Sequence, residues 1–422
     1  VKALTFEFDL PRLAAAKMLG SLHPSGYLSA KGPLRLRDVP DARVLGDEWV
    51  VVETALCGIC GSDVKQVFLD AAADNPLTAV ISFPHVLGHE HVGTVVDLGS
   101  RVTSLVRGDR VACSPWLSCV PRGVPECPSC LAGDVSLCDS FTSGPLAPGM
   151  HAGTCRDVSG GFASLVPVHE SGCHKIPGGV AFDDAVLADP LSVALHAVLK
   201  APPAPGEKAL VLGCGGLGAM VVHLLARLFP ESPVFAVDPR THARDLASHL
   251  GASRTFAERG GALVETIGAE LDAKVMHPRF GLPWLQRGVD RVYDTVGAPS
   301  TLEVALRVIR PRASIVLVGV GTPGRFEWTP LYFKEAALLG SSGYGVETFE
   351  GRRAPAIEHV LSLLATKRLE PRGALTHRFA LTDFRDAFLT ARSGSDGSAV
   401  KVAFDFRNPS AHTPHDKRGR PS

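Results

Sequence analysis

Three things are scarce in this sequence of 422 residues, and each scarcity closes off a class of function. An excess of charge is missing: 43 Lys and Arg face 43 Asp and Glu. Proteins that bind nucleic acid or anionic membranes carry a basic face, because neutralised phosphates supply most of the affinity. Neither partner is expected, and only the stretch from Arg407 to Ser422 is locally basic. Long apolar runs are missing too. The longest, Ala209 to Leu225, is broken by four glycines and His223, and the N-terminus carries charges at Lys2, Glu7, Asp9, Arg12 and Lys17. Neither a membrane span nor a signal peptide is expected, which makes the cytoplasm the default location. Cysteine, at ten residues, is too sparse for a disulfide scaffold. Five of the ten crowd between Cys113 and Cys138, which points to metal before disulfides.

At roughly 150 residues per domain, the length predicts two or three domains, each able to bury its own core. Residues 1 to about 190 read as strands and loops, with β-branched runs at Trp49–Thr54, His91–Leu98 and Arg110–Cys113 punctuated by Gly, Pro and Asp. From Lys208 the pattern changes to apolar strand, glycine turn and amphipathic helix: ALVLG, a helix over Leu217–Leu228, VFAVD, a helix over His242–Leu250, DRVYDTVG, a helix over Ser300–Val308, then ASIVLVGVG. Such alternation predicts a doubly wound parallel sheet, an α/β fold. A helical segment over Ala354–Thr366 precedes a return to short strands ending at Phe406. Phe68–Phe83 and Ala262–Arg287 have irregular composition and receive no assignment. There is no internal repeat, and residues 407–422 read as a disordered tail.

Gly213, Gly215 and Gly218 stand in GCGGLG directly after the strand ALVL and open an apolar helix through Gly216 and Leu217, and Asp238 ends the next strand. This is the dinucleotide fingerprint in register. The first glycine makes the tight turn, the second admits the pyrophosphate to the backbone, and the third lets helix and strand pack closely. Helix N–H groups bind the phosphates, and the carboxylate takes the ribose hydroxyls. The charge of Asp238 repels a 2′-phosphate and favours NAD. NADP stays open, because Arg240 and Arg244 lie close enough to accommodate one.

Around Cys60 the sequence is CGICGSD, and GHE with His89 and Glu90 comes 29 residues later. Thiolate, imidazole and a carboxylate, delivered by glycine turns, suit a zinc ion. GICGSD, PHVLGHEHVGTVVDLG, GDRV at Gly108, the cysteine cluster and GCGGLG occur in an order that resembles the zinc-dependent medium-chain dehydrogenases, among them alcohol, polyol and threonine dehydrogenases. The resemblance runs from about Leu34 to Phe406. It implies a GroES-like β-rich catalytic domain at 1–190 with an N-terminal extension, a Rossmann NAD-binding domain at 191–344, and a segment at 345–406 that returns to the catalytic domain. It also implies an active-site cleft between the domains, and a homo-oligomer.

By the same resemblance, Cys60 and His89 are catalytic zinc ligands and Glu90 is the acid beside the metal. Asp189, in LADPLSVALHAV, stands where relatives place Cys or Glu as third ligand. Direct ligation and a helix cap before Pro190 are its two readings. Ser62 matches the hydroxyl that accepts the substrate's proton, and Lys65 stands where many relatives have the histidine that relays it; a relay through a depressed pKa, a contact for an acidic substrate group and plain solvation are its three readings. Relatives with a structural zinc space four cysteines as C-x2-C-x2-C-x7-C. Cys127, Cys130 and Cys138 supply the last three, and Val124 stands where the first belongs. Cys119, in an inserted loop, is expected to curl back as the fourth ligand; a metal-free lobe is the alternative. Cys113, in an apolar strand, is less suited.

The implied function is zinc-dependent, NAD(P)-linked interconversion of an alcohol with its aldehyde or ketone by hydride transfer, the substrate being a small secondary alcohol, polyol or amino-alcohol. An NADP-dependent reductase of a biosynthetic carbonyl is the alternative within the class. A non-catalytic zinc- and nucleotide-binding protein on the same scaffold is the alternative outside it. Two segments extend the common pattern. PRLAAAKMLGSL is expected as an amphipathic helix on the catalytic domain or on a partner subunit, and DAAADNPLTAVISFP as a lining of the substrate entrance.

Overall fold

The β-branched run after Asp47 forms β1 (Trp49–Gly58), in which only Glu53 is exposed. The structure, a computed structural model, describes residues 1–72, 74–393 and 398–407. Helix α1 (Gly61–Val67) follows, then β2 (Glu90–Leu98), β3 (Arg110–Cys113), β4 (Leu165–His169) and β5 (Cys173–Lys175). β2 pairs antiparallel with β1 along its length, with register shifts at Val51/Val52 and Thr54/Leu56. The sheet order is Leu375–Phe379, Lys401–Asp405, β1, β2, β3, β5, with β4 also pairing β1. One face packs Val50, Val52, Val95, Val111 and Val166, and a second cluster gathers Phe6, Phe68, Phe162, Phe388 and Phe404. Each such side chain contributes about 1.5–3 kcal/mol when buried.

Ahead of β1, a helix over Leu10–Leu22 is capped by Asp9, which accepts the Arg12 N–H at 2.9 Å. Only Ala16 of that helix is buried, and Leu10, Met18 and Leu22 are exposed.

The second run of elements is β6 (Ala209–Leu212), α2 (Gly216–Leu228), β7 (Val234–Val237), β8 (Arg254–Phe256), β9 (Val289–Asp294), β10 (Ile309–Leu317) and β11 (Ala337–Gly340). These strands form one parallel sheet in the order β8-β7-β6-β9-β10-β11. The order reverses direction between β6 and β9, and the carboxyl end of such a switch point is where doubly wound sheets bind ligands.

The unassigned stretch Ala262–Arg287 contains most of a helix, Gly260–Glu270, and a small hairpin, Val275–Met276 with Trp284–Leu285. Leu263, Val264 and Ile267 bury the helix's apolar stripe.

The chain divides into two compact units: Val1–Asp189 with Gly345–Ala365 and Leu375 onward, and Pro190–Tyr344 with Thr366–Ala374. Within 345–406, Thr366–Ala374 therefore packs with the second unit, where the Glu370 N–H donates to His223 Nε2 at 3.0 Å. The expected tail, 407–422, lies outside the described residues beyond Arg407. Among the described residues no helix is long and apolar enough to cross a membrane.

Candidate functional site

Cys60 is the N-cap of α1, and Asp63 at the third helical position accepts its N–H at 2.9 Å. His89 follows Gly88, whose φ of +92° and contact with the Phe162 ring leave no room for a side chain. Glu90 opens β2 directly opposite Gly58 of β1. These turns bring donor atoms of Cys60, His89 and Glu90 within 4.8 Å of one another. Burial alone would lower the pKa of His89, but Asp63 and Cys60, with Asp189, hold it well above the usual histidine range. Surroundings that favour a positive imidazole also favour a bound cation, and thiol, imidazole and carboxylate form a zinc donor set. The residues present fit the metal.

Lys401 lies behind this group. Its ammonium pairs with Glu90 Oε2 and donates to the Ile59 carbonyl at 3.2 Å. Burial pulls its pKa down, but Glu90 and Cys60 raise it overall, so it stays charged. A Cβ at Gly58 would collide with both partners, which explains the glycine.

Asp189 is not one of the compact trio. It is the second residue of the helix Ala188–Lys200 and so lies in the first turn, not at a cap outside it. It is 7% exposed, and its charge acts on His89, Lys401 and Cys57. Ser62 is exposed on the first turn of α1, and Lys65 lies one turn on, half-buried, its pKa lowered by burial.

The sulfurs of Cys119, Cys127, Cys130 and Cys138 form a second group, all within 4.8 Å of one another. Sγ of Cys138 is 3.5 Å from that of Cys119 and 4.0 Å from that of Cys127. Four sulfurs held about 2.3 Å from a central zinc stand about 3.8 Å apart, whereas a disulfide needs about 2.05 Å. The lobe fits a metal and not a disulfide. Backbone N–H groups of Cys127, Asp139 and Ser140 donate to the sulfurs at 3.2–3.4 Å. Those of Asp139 and Cys130 pull the Cys127 thiol down to about 7. Arg122, fully buried, donates to the carbonyls of Leu117, Ser143, Leu146, Ala147 and Gly149 at 2.7–3.1 Å. It ties the lobe together and sets a positive charge near the sulfurs.

In the second unit β6 is followed by Gly213, with φ +88°, and a Cβ at Gly218 would strike the Gly213 carbonyl. Gly215 is the N-cap of α2 and no side chain caps the helix. The first turn, through Gly216 and Leu217, thus has N–H groups to offer a phosphate. Beside Gly215, the neighbour that an added Cβ would meet among the described residues is Arg240 Nη2, at 3.6 Å. The loop is a cradle fit for a pyrophosphate.

Asp238 is buried and accepts the Cys214 N–H at 2.9 Å. Arg240 grips the same carboxylate with Nε and Nη2, each at 2.9 Å. Burial pushes the Asp238 pKa up, but Arg240 and the Cys214 amide bring it below the usual carboxylate value. Arg244 is bound to the carbonyls of Asp238 and Pro239 at 2.8 and 2.9 Å.

The first unit matches the alcohol dehydrogenase GroES-like domain over residues 46–178. Residues 216–358 match the zinc-binding dehydrogenase model. L-idonate 5-dehydrogenase of Vitis vinifera is 30% identical over 366 residues, covering 86% of this chain and 89% of that protein. The chain belongs to the zinc-dependent medium-chain dehydrogenase family. Sorbitol dehydrogenase of Arabidopsis thaliana is 29% identical over 86% of this chain and 90% of its own. Among solved structures, galactitol-1-phosphate dehydrogenase of Escherichia coli superposes with a TM-score of 0.70 at 23% identity, covering 96% of this chain and all of its own (100%). A putative zinc-binding dehydrogenase of Sinorhizobium meliloti 1021, bound to NADP, has a TM-score of 0.67 at 26% identity, covering 88% of this chain and 95% of its own.

Three residues near the trio of this dehydrogenase lie outside the roles that the sequence motifs point to. Asp63 had a signal, since an acid three residues after an N-cap is the capping-box pattern. Lys401 had a weaker one, a lone cation in the apolar strand AVKVAFDF. His151 had none. Its ring centroid lies 4.6 Å from that of His89, its Nδ1 donates to the Ala152 carbonyl at 2.7 Å, and burial lowers its pKa to about 3, so it is neutral.

Proposed function

We propose that this chain is a zinc-dependent, NAD(P)-linked dehydrogenase that interconverts a secondary alcohol of a small polyhydroxylated compound, a polyol or sugar acid, with the ketone. The observation that carries this reading is the convergence of Cys60, His89 and Glu90. The substrate class is supported by relatives named for idonate, xylulose and sorbitol.

Cys60 and His89 hold the catalytic zinc, with Asp189 as third ligand and Glu90 beside the metal, steadied by Lys401. Cys119, Cys127, Cys130 and Cys138 hold a second, structural zinc. When bound there, the zinc would supply Lewis acidity toward an alcohol oxygen and the nicotinamide would supply a hydride acceptor. Ser62 Oγ accepts the substrate hydroxyl's proton, and Lys65, one turn along the same helix face, receives it next. The N–H groups at Gly215–Gly218 bind the pyrophosphate, and Asp238 takes the adenosine ribose hydroxyls, which favours NAD. Arg240 turns from Asp238 to a 2′-phosphate when the cofactor is NADP.

The dehydrogenase works in the cytoplasm as a homo-oligomer, with no nucleic-acid or membrane partner. Pairing across β11 is supported by its place at the sheet edge and by the exposure of Leu338, Trp328 and Tyr332.

The test is NADH formation across a panel of alcohols, polyols and sugar acids, repeated with NADP. Turnover of polyols above simple alcohols is expected. Zinc and nucleotide binding without any turnover would favour the non-catalytic reading, and a clear NADPH preference would overturn the NAD assignment.

A further inference from the structure

We propose that Cys113 and Cys173 are a redox modification site, a dithiol that closes reversibly to a disulfide. The two residues are directly opposite each other where β3 and β5 pair antiparallel. The Ile176 N–H donates to the Arg110 carbonyl and the Ser114 N–H to the Gly172 carbonyl, each at 2.8 Å. Hydrogen-bonded pairs therefore fall at residues 110, 112 and 114 of β3, and Cys113 with Cys173 occupies the non-hydrogen-bonded pair between them. In such pairs the Cα atoms stand about 4.5 Å apart, within the roughly 4.4–6.8 Å that a disulfide spans. Both side chains lie on one face of the sheet, in the cluster of Val111, Val166 and Val168. The register therefore sets the two cysteines where a bridge can form across the ladder. Among the described residues no other cysteine faces a cysteine across a strand ladder.

Exposure sets the order of events. Cys113 is buried at 1% exposure and Cys173 is half-buried, so the oxidant reaches Cys173 first. With a peroxide as oxidant, the Cys173 sulfur takes an oxygen to become a sulfenic acid. The Cys113 sulfur then attacks it, the S–S bond forms and water leaves. For hydrogen peroxide the balance is two thiols oxidised, two electrons accepted and two waters released; a small dithiol reverses it. The chain leaving β3 runs on to Trp116, which bridges to His151 beside His89, so Cys113 ends the strand that leads to the metal site.

The experiment uses the zinc-loaded protein, hydrogen peroxide at doses that release no zinc, and peptide mapping without reductant. A cross-linked pair of peptides carrying Cys113 and Cys173 is expected, two hydrogens lighter than the free peptides, lost on adding dithiothreitol and absent in Cys173→Ser. If Cys173 is recovered as a free thiol, or as a sulfinic acid beside an unmodified Cys113, the two are packed apolar thiols only and the proposal fails. A cross-link that forms only after zinc has left also overturns it. Mapping the unmutated protein decides the matter even if a variant does not fold.

Discussion

The four-sulfur lobe and the Cys60–His89–Glu90 group are both built from glycine- or proline-bounded turns, yet they suit different work. The lobe gathers four donors of one kind, close on 3.5–4.0 Å where the separations are known, and surrounds them with backbone N–H groups and the fully buried Arg122. A metal with four thiolates has no place left for a substrate, so its contribution is to folding. The other group mixes sulfur, nitrogen and oxygen, and its single acid, Glu90, is already paired with Lys401. It falls short of a full shell, and that shortfall is what lets a site bind and activate something else. Completeness of the donor set, rather than the presence of cysteine, separates a staple from a reaction centre.

That contrast can be broken most directly at Cys60. Cys60→Ala should lower kcat/KM by at least about 10³-fold, about 4 kcal/mol of transition-state stabilisation, while NAD binding followed by fluorescence stays nearly unchanged. Retained turnover would remove the trio from the mechanism.

The next largest effect is expected behind the trio. Lys401→Met leaves the buried Glu90 carboxylate without its cation, and breaking a buried pair in this way costs roughly 3–5 kcal/mol. The thermal midpoint should fall accordingly, and Lys401→Arg should recover part of it; an unchanged midpoint would mean that Glu90 finds another partner.

In the lobe, Cys119→Ser should reduce zinc from two ions per chain to one and cost about 2–4 kcal/mol of stability. Activity measured well below the new midpoint should stay within about tenfold, because a structural staple does not enter the reaction. Unchanged zinc content would show that Cys119 is not a ligand, and a collapse of kcat in folded protein would erase the distinction between the two groups.

The smallest effect concerns Lys65. Burial lowers its pKa, so its amine becomes a proton acceptor at a lower pH than a solvated lysine. Alcohol oxidation should therefore rise with pH through that lowered value. In Lys65→Met this limb should vanish, with a loss of about tenfold, at the low end of what a proton-transfer group contributes. An identical pH profile would give the relay to solvent.

Most of this arrangement was readable from the chain. The glycine fingerprint, the two ligand motifs and the alternation of strands with helices are local patterns, and local patterns survive in sequence because a tight turn or a helix N-terminus is made by neighbouring residues. Cys119 was also reachable, because the resemblance asks for a fourth sulfur and the inserted loop is long enough to return one to Cys127 and Cys138. The helix Gly260–Glu270 carries the helical period in its apolar residues at 263, 264 and 267, but the glycines at its start and the hairpin after it obscure that pattern in the sequence.

What the sequence could not supply was the company each group keeps. Lys401 lies 342 residues from Ile59, whose carbonyl it meets, and no spacing rule relates them. Arg240 was readable as a neighbour of a phosphate, but its fork on Asp238 depends on how the strand end and the helix start are oriented. Cys113 and Cys173 became a pair only when two strands aligned in one register. The sequence by itself determined the family, the two kinds of unit and the chemistry of each motif, because those follow from residue types at short range. Tertiary structure alone decided which charges face one another, because charge and thiol chemistry act over a few ångströms of space and are indifferent to distance along the chain.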